Sequence, residues 1–170
     1  MRNDPGPRRR SLRLQGYDYS HAGAYFITVC TRDRIALFGE ISDNDMRLNQ
    51  AGMLVKEIWD NLSAHYRDID LDAFIGMPNH VHGIIVLADG NGAHHGIPEI
   101  VRGFKTFSAR SVNELRQTRG ALWQRGYYEH VIRNETALNR IRGYIANNPA
   151  RWADDPDNIS QPGFAAPGRV

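Results

Sequence analysis

The sequence of 170 residues contains one cysteine, Cys30, so no disulfide can form within the chain. A lone cysteine is typical of proteins from reducing compartments, and we therefore expect a cytoplasmic location. Long apolar runs are also missing, since no stretch approaches the ~20 residues that a membrane-spanning helix needs. The first 14 residues are polar and arginine-rich, unlike a signal peptide. We therefore expect neither a disulfide-stabilised secreted domain nor a membrane protein.

The charge is nearly balanced but unevenly distributed. The formal net charge is only +2, yet arginines crowd the first 14 residues and a second basic group follows near the middle of the chain. The residues of interest in these two groups are Arg8, Arg9, Arg10, Arg13, Arg102 and Lys105. Local basic segments can neutralise phosphates. A solubilising arm and a solvated helix face would have the same composition, so charge alone leaves a nucleic-acid partner open.

The chain is predicted to hold one domain between two tails. Residues 1–16 read as a flexible basic arm, 17–152 as the folded domain and 153–170 as a flexible tail containing proline and glycine. Apolar periodicity predicts strands at 24–30, 35–38, 69–77, 81–87 and 122–132, and helices at 50–66, 97–115 and from Asn134 to about 146. The order indicates an α+β, ferredoxin-like fold, in which an antiparallel sheet carries two helices on one face and a further helix ends the domain.

Two histidines stand out on the predicted strand that follows Pro78-Asn79. Side chains two apart on a strand point to the same face, so His80 and His82 project together while Val81 faces the other way. Two imidazoles at that spacing can bind one divalent ion. Two ordinary hydrogen-bonded histidines at the rim of a hairpin are the alternative. A zinc protease is disfavoured, because no His-Glu-x-x-His occurs.

The last predicted helix carries Tyr144 and Asn148, which are four residues apart and thus lie on one helix face. An asparagine oxygen is a hard ligand suited to Mg²⁺ or Mn²⁺. A tyrosine hydroxyl becomes a nucleophile once its proton is removed. The alternative is an amphipathic helix residue followed by a helix cap. A pair of metal-binding histidines beside a helical tyrosine is compatible with transesterification of a phosphodiester.

Four segments resemble those of the HUH single-tyrosine transposases, and most closely the REP-associated tyrosine transposases of bacteria. They cover roughly residues 10–152 and consist of Leu14–Tyr19 with Gly23–Thr28, Met77–Ile85, Leu122–His130 and Tyr144–Pro149. The resemblance implies nicking and transfer of single-stranded DNA through a 5′-phosphotyrosine intermediate, beside palindromic hairpins and with Mg²⁺ or Mn²⁺. It also implies that the last helix is the catalytic one, in a monomer or a homodimer.

The same resemblance implies roles for individual residues. Tyr144 would be the nucleophile, and His80, His82 and Asn148 would be the metal ligands. Related insertion-sequence transposases have glutamine at the position of Asn148, which is one methylene longer, so His130 remains an alternative third ligand. The neighbouring tyrosines at 127 and 128 remain rival nucleophiles, although at most one of them can face the metal.

The resemblance also directs the reading of the basic residues. Arg8, Arg9, Arg10 and Arg13 are expected to contact a DNA stem, and Arg102 and Lys105, three apart on one helix, to hold phosphates. Tyr17, Tyr19 and Trp123 are candidates for stacking on bases, with core packing favoured for Trp123. Two alternatives stay open. One is a catalytically weak module that only binds hairpin DNA, and the other is a phosphodiesterase that uses water as its nucleophile.

Removing residues 1–13 tests whether the basic arm contacts DNA. If its arginines displace counterions, the slope of log affinity against log salt should become shallower by about 0.7–0.9 for each lost phosphate contact. Filter binding of a labelled hairpin at several salt concentrations measures that slope. An unchanged slope would show that the arm does not touch DNA.

Overall fold

A computed structural model of the chain describes residues 22–88 and 95–158. The predicted arm at 1–16, Tyr17, Tyr19 and residues 159–170 of the predicted tail lie outside the described residues. Within the described ranges, no helix combines the length and the apolar character needed to cross a membrane.

Four of the six strands form one antiparallel sheet. In chain order the elements are β1 (Gly23–Cys30), β2 (Gly39–Ser42), β3 (Asp45–Leu48), α1 (Gln50–Asp60), α2 (Leu62–His65), β4 (Ile69–Met77), β5 (His80–Leu87), α3 (Ile97–Arg116), β6 (Tyr128–Ile132) and α4 (Glu135–Ala146), with 3₁₀ turns at Arg32–Arg34 and Pro149–Asp154. The sheet order is β4-β5-β1-β6, and every neighbouring pair is antiparallel. Since β5 lies between β1 and β4, the predicted split β-α-β arrangement is confirmed.

One face of the sheet carries the main core. Alternate residues of β1 and β5 point to this face and pack against α1 and α3, because side chains on a strand alternate between its two sides. The largest contributors are Tyr25, Ile27, Val81, Ile85, Trp59 and Phe104, all with exposed fractions of 1% or less. Burial of this apolar surface is the main stabilising contribution to the fold.

The opposite face is covered by α4 over only part of its length. Phe26, Ile84 and Ile132 form a small apolar cluster with Ile145 of this helix. His80 and His82 continue the row of Ile84 along β5, so the histidine pair lies on the α4 face and away from the main core.

Several predicted boundaries differ from those observed. The strand predicted at 35–38 is absent, and a hairpin of β2 and β3 follows it instead. The strand predicted at 122–132 begins only at Tyr128, while Trp123 forms an isolated bridge with Thr31. The helix predicted at 50–66 is divided between α1 and α2. The chain at 153–158, predicted as the start of a tail, contains the buried residues Asp155 and Asn158.

Gly83 lies where β5 passes directly over the ring of Trp59. A Cβ at this position would lie 2.3 Å from Cζ2 of the buried Trp59 ring. Gly83→Ala should therefore lower the free energy of unfolding by about 1–3 kcal/mol through overpacking, as measured by chemical denaturation. Gly143→Ala is the matched control, because a Cβ there meets nothing within 4 Å and alanine favours the helix. Equal stability of the two variants would contradict this packing.

Candidate functional site

The two histidines of β5 converge as predicted. The Nε2 atoms of His80 and His82 are 3.0 Å apart, and the rings meet at an interplanar angle of 66°. The outer ring nitrogens are held by neighbouring side chains. His80 Nδ1 lies 2.8 Å from Asn79 Oδ1, and His82 Nδ1 lies 2.8 Å from Thr28 Oγ1. Both rings thus have one oriented nitrogen and one nitrogen that faces the other ring, as in histidine metal sites.

Burial keeps this pair uncharged. His80 is fully buried and His82 is 3% exposed. Loss of solvation lowers the pKa of His80, against the opposing effect of the Asp157 and Asp155 carboxylates. Loss of solvation and the neighbouring His80 hold the pKa of His82 well below 6.5. Both rings are therefore neutral at neutral pH, which is the state that binds a metal ion.

Tyr144 reaches the same place from α4. Its ring centroid is 5.3 Å from that of His82 and 6.0 Å from that of Phe26. Burial raises the pKa of the phenol, the Asp155 carboxylate raises it further, and a hydrogen bond with the Asn148 side chain lowers it. The phenol is consequently protonated at neutral pH, and a nearby positive charge would favour its ionised form.

Asn148 has an unusual environment for an amide. The residue is 2% exposed, and its Oδ1 has no hydrogen-bond partner. An unsatisfied buried acceptor costs about 1–3 kcal/mol, which a ligand to that oxygen would recover. Among residues 22–88 and 95–158, no group of three or more His, Cys, Asp and Glu side chains could hold a metal ion. Its unpaired Oδ1 makes Asn148 a candidate third donor.

The spacing of the imidazole nitrogens fits a divalent ion. Two nitrogens at ~2.1 Å from one ion and at a right angle to each other stand about 3.0 Å apart, which is the separation of the two Nε2 atoms. The donor set of two imidazoles and an amide oxygen suits Mg²⁺ or Mn²⁺ as well as softer ions. The residues present thus fit the group that the sequence predicted.

His130, the alternative ligand, is placed less favourably. It is exposed and lies opposite Phe26 on β6, two strands away from β5. Two strand spacings correspond to about 10 Å. Tyr128, a rival nucleophile, lies edge-on to Phe26 at 6.3 Å between ring centroids. Tyr144 contacts the ring of His82 itself, so it remains the preferred nucleophile.

The chain after α4 forms one wall of the site. The Trp152 ring lies 6.0 Å from that of His80, and Arg34 pairs with Asp157 at 2.7 Å and donates to the Pro156 carbonyl at 3.0 Å. Together with the sheet and α4, this wall encloses a cleft of about 480 Å³. Its lining includes Phe26, Thr28, Cys30, Arg34, His82, Gln124, Tyr128, Tyr144 and Asp157.

The predicted basic pair on α3 lies at a different surface. Arg102 is exposed, whereas Lys105 is half-buried and donates to the carbonyls of Gln124, Arg125 and Gly126 at 2.6, 3.3 and 3.1 Å. Burial lowers the pKa of Lys105. The three ammonium donors are thus used to order the loop that lines the cleft, and phosphate binding by these two residues stays a prediction. Trp123 donates to Ser108 Oγ and packs in the core, as favoured above.

Comparison with known proteins identifies the family. Residues 19–148 match the model of the IS200-like transposases. The chain belongs to this family. This IS200-like transposase is also 38% identical to an uncharacterised protein of Haemophilus influenzae over 168 residues, covering 86% of the chain and 91% of the relative. A candidate REP-associated tyrosine transposase of the same organism is 25% identical over 143 residues, covering 79% and 74%.

Solved structures share the fold. A REP-associated tyrosine transposase bound to a REP hairpin aligns with a TM-score of 0.60 at 20% identity, covering 84% of this chain and 74% of that one. A candidate transposase of Deinococcus radiodurans R1 aligns with a TM-score of 0.50 at 22% identity, covering 81% and 97%. The resemblance drawn from the sequence motifs is therefore confirmed.

Four residues of this transposase site were not found by sequence reasoning: Thr28, Arg34, Asn79 and Asp157. Asn79 precedes the first histidine directly and gave a local signal, since a buried amide at that position can bond to an imidazole. The other three come from segments far apart in the sequence, and only the folded chain brings them to the histidines.

The lowered histidine pKa values predict a loss of stability in mild acid. Because both values lie below 6.5, the unfolded chain binds more protons than the folded chain as the pH falls below that value. The free energy of unfolding should keep its maximal value above pH 6.5. It should decline below pH 6.5, as the pH approaches the lowered pKa values of the two histidines. Urea denaturation over a pH series measures this slope.

His82→Gln removes one histidine that takes up a proton on unfolding. The slope of the decline should therefore become shallower by up to ~1.4 kcal/mol per pH unit, the value for about one proton. Met53→Leu, a change at an exposed residue without a titratable group, should keep the original slope. A slope unaltered by His82→Gln would contradict the assignment of a buried neutral imidazole.

Proposed function

We propose that this IS200-like transposase nicks and rejoins single-stranded DNA, with Tyr144 as nucleophile and His80, His82 and Asn148 as ligands of Mg²⁺ or Mn²⁺. The observation that carries the proposal is the contact of the Tyr144 ring with His82, whose Nε2 meets that of His80, while the buried Asn148 side chain bonds to the phenol and keeps an unpaired oxygen. The family of the chain supports a transposase, and the geometry of the cleft supports the chemistry of its strand-transfer step.

The charges around the cleft support a requirement for a cation. The carboxylates of Asp155 and Asp157 both raise the pKa of Tyr144, and Arg34 is already paired with Asp157. A phosphodiester that approached Tyr144 would meet these negative charges. His80, His82 and Asn148 would hold a divalent ion there, and the ion would supply the positive charge that neutralises and polarises a non-bridging phosphate oxygen.

The proposed step exchanges one phosphate ester for another. Tyr144 Oη attacks the phosphorus, the bond from phosphorus to the 3′ oxygen breaks, and the 5′ phosphate stays on the tyrosine. The phenol proton is lost to solvent and the departing 3′ oxygen takes up a proton from solvent. Because the ester bond is conserved, a 3′ hydroxyl can later reverse the reaction and rejoin a strand.

Hairpin DNA is the proposed partner, on the strength of the structural neighbour that binds a REP hairpin. The site is completed by residues of one chain, which is compatible with a monomer and leaves a homodimer open. Arg8, Arg9, Arg10, Arg13 and Arg102 remain the proposed DNA contacts. Lys105 remains one on the condition that a phosphate replaces a loop carbonyl as its partner. The cytoplasm remains the proposed location.

Covalent capture of DNA tests the nucleophile. Incubation with a 3′-labelled, hairpin-bearing single strand and Mn²⁺ should give a labelled protein–DNA adduct on a denaturing gel, because the fragment 3′ of the nick stays on the protein, whereas a 5′ label should leave with the released fragment. Tyr144→Phe should reduce adduct formation by about three orders of magnitude or more, because the nucleophile is lost while the ring remains.

Tyr128→Phe is the matched control. The two tyrosines have similar exposures, 45% for Tyr128 and 42% for Tyr144, and both lie edge-on to Phe26, yet only Tyr144 also contacts His82. Loss of the adduct in Tyr128→Phe alone would refute the assignment. Binding without cleavage would support the DNA-binding module, and cleavage without an adduct would support hydrolysis by water.

A further inference from the structure

Asn79 is a buried amide whose polar atoms all have partners. It is 1% exposed, and it belongs to the turn between β4 and β5, directly before His80. Its Nδ2 donates to the Arg34 carbonyl at 3.0 Å and to the Asp157 carbonyl at 2.7 Å. Its backbone carbonyl accepts from the Thr31 amide at 2.8 Å. The remaining polar atom of the side chain, Oδ1, lies 2.8 Å from His80 Nδ1.

These partners fix which way the amide points. A carbonyl oxygen only accepts hydrogen bonds, so the two carbonyls require the nitrogen of Asn79 on their side. The oxygen must then face His80. Two acceptors in two different segments hold this orientation, and a flip of the amide would leave both carbonyls opposite another oxygen.

The fixed amide in turn determines the state of His80. An amide oxygen can only accept, so His80 Nδ1 must carry the proton that joins the two residues. A neutral imidazole has one N–H, and Nε2 of His80 is therefore left with a free lone pair that faces His82. The Nδ1–H tautomer is the one that a metal ligand at Nε2 requires.

We propose that Asn79 is a positioning residue that holds His80 in the Nδ1–H tautomer and thereby prepares Nε2 for the divalent ion. This inference rests on the proposed function only in taking His80 as a metal ligand. Thr28 acts differently on the second ring, because its hydroxyl both donates and accepts and so fits either tautomer of His82. His80 is thus held in one tautomer, whereas Thr28 permits His82 to carry its proton either on Nε2, which faces the bare nitrogen of His80, or on Nδ1.

The tautomer can be observed directly in the metal-free protein. Long-range ¹H–¹⁵N correlation spectra of chain labelled with ¹⁵N-histidine distinguish the protonated ring nitrogen from the bare one, and His80→Gln assigns the resonances. The original chain should show His80 protonated at Nδ1. Asn79→Ala should move the population towards Nε2–H, whereas Asn79→Asp, whose carboxylate also accepts from Nδ1, should keep Nδ1–H.

Metal affinity provides the second readout. Asn79→Ala should weaken Mn²⁺ binding, measured by electron paramagnetic resonance of the free ion, by about 10–100-fold, the usual effect of removing a partner that orients a ligand. Asn79→Asp should lose less than Asn79→Ala. Asn113→Ala is the matched control, since Asn113 also joins a helix to a loop through its amide, by bonds to the Gly120 carbonyl and the Thr118 hydroxyl. It should change neither readout.

The outcomes separate this inference from the proposed function. His80 protonated at Nε2 in the original chain would overturn the inference, even if no variant folds. So would an unchanged tautomer and an unchanged Mn²⁺ affinity in a folded Asn79→Ala. If Asn79 controls the tautomer but no adduct forms at Tyr144, the nicking proposal fails alone. If an adduct forms while His80 is protonated at Nε2, only the inference about Asn79 fails.

Discussion

The 3.0 Å approach of the two imidazole nitrogens on β5 is the contact around which the rest of the site is organised. Both rings are buried, so neither can stay charged and both must form hydrogen bonds within the protein. That requirement accounts for Asn79 and Thr28, which take up the outer nitrogens. With the lone pair on His80 Nε2, the one proton between the inner nitrogens belongs to His82 Nε2, and it lies where a cation would bind.

Several groups near the cleft favour the binding of a cation. The neutral imidazoles, the unpaired Oδ1 of Asn148 and the carboxylates of Asp155 and Asp157 meet near the Tyr144 phenol. Without a cation this arrangement disfavours both an ionised tyrosine and a phosphate. With a cation at the proposed ligands, the phenol would become easier to ionise. The electrostatics thus make the proposed reaction conditional on the metal.

The main core lies on one face of the sheet, and the candidate site lies on the other. Six residues of α3 are buried in or beside the main core, whereas α4 buries only Ile145. The position of α4, and hence of Tyr144, therefore depends on half-buried apolar residues (Ala137, Leu138 and Ile141) and on polar contacts. Arg142 donates from Nε to Asp72 Oδ1 at 2.8 Å and makes a second bond to Oδ2, which ties the helix to β4. The main core is thus held by buried apolar residues, whereas α4 is also held by the hydrogen bonds between Arg142 and Asp72.

The sequence by itself determined the order of the main elements, the common face of His80 and His82, and the common face of Tyr144 and Asn148, because strand and helix periods fix such relations locally. It also held a missed signal: Asp43 and Asn44, both with positive φ, form the turn of the β2–β3 hairpin, and such residues favour that geometry. Only the tertiary structure decided that the chain after α4 closes the site and that Lys105 orders the loop at 124–126. Those contacts join residues whose separation in sequence carries no periodic signal, so they exist only once the sheet has brought the segments together.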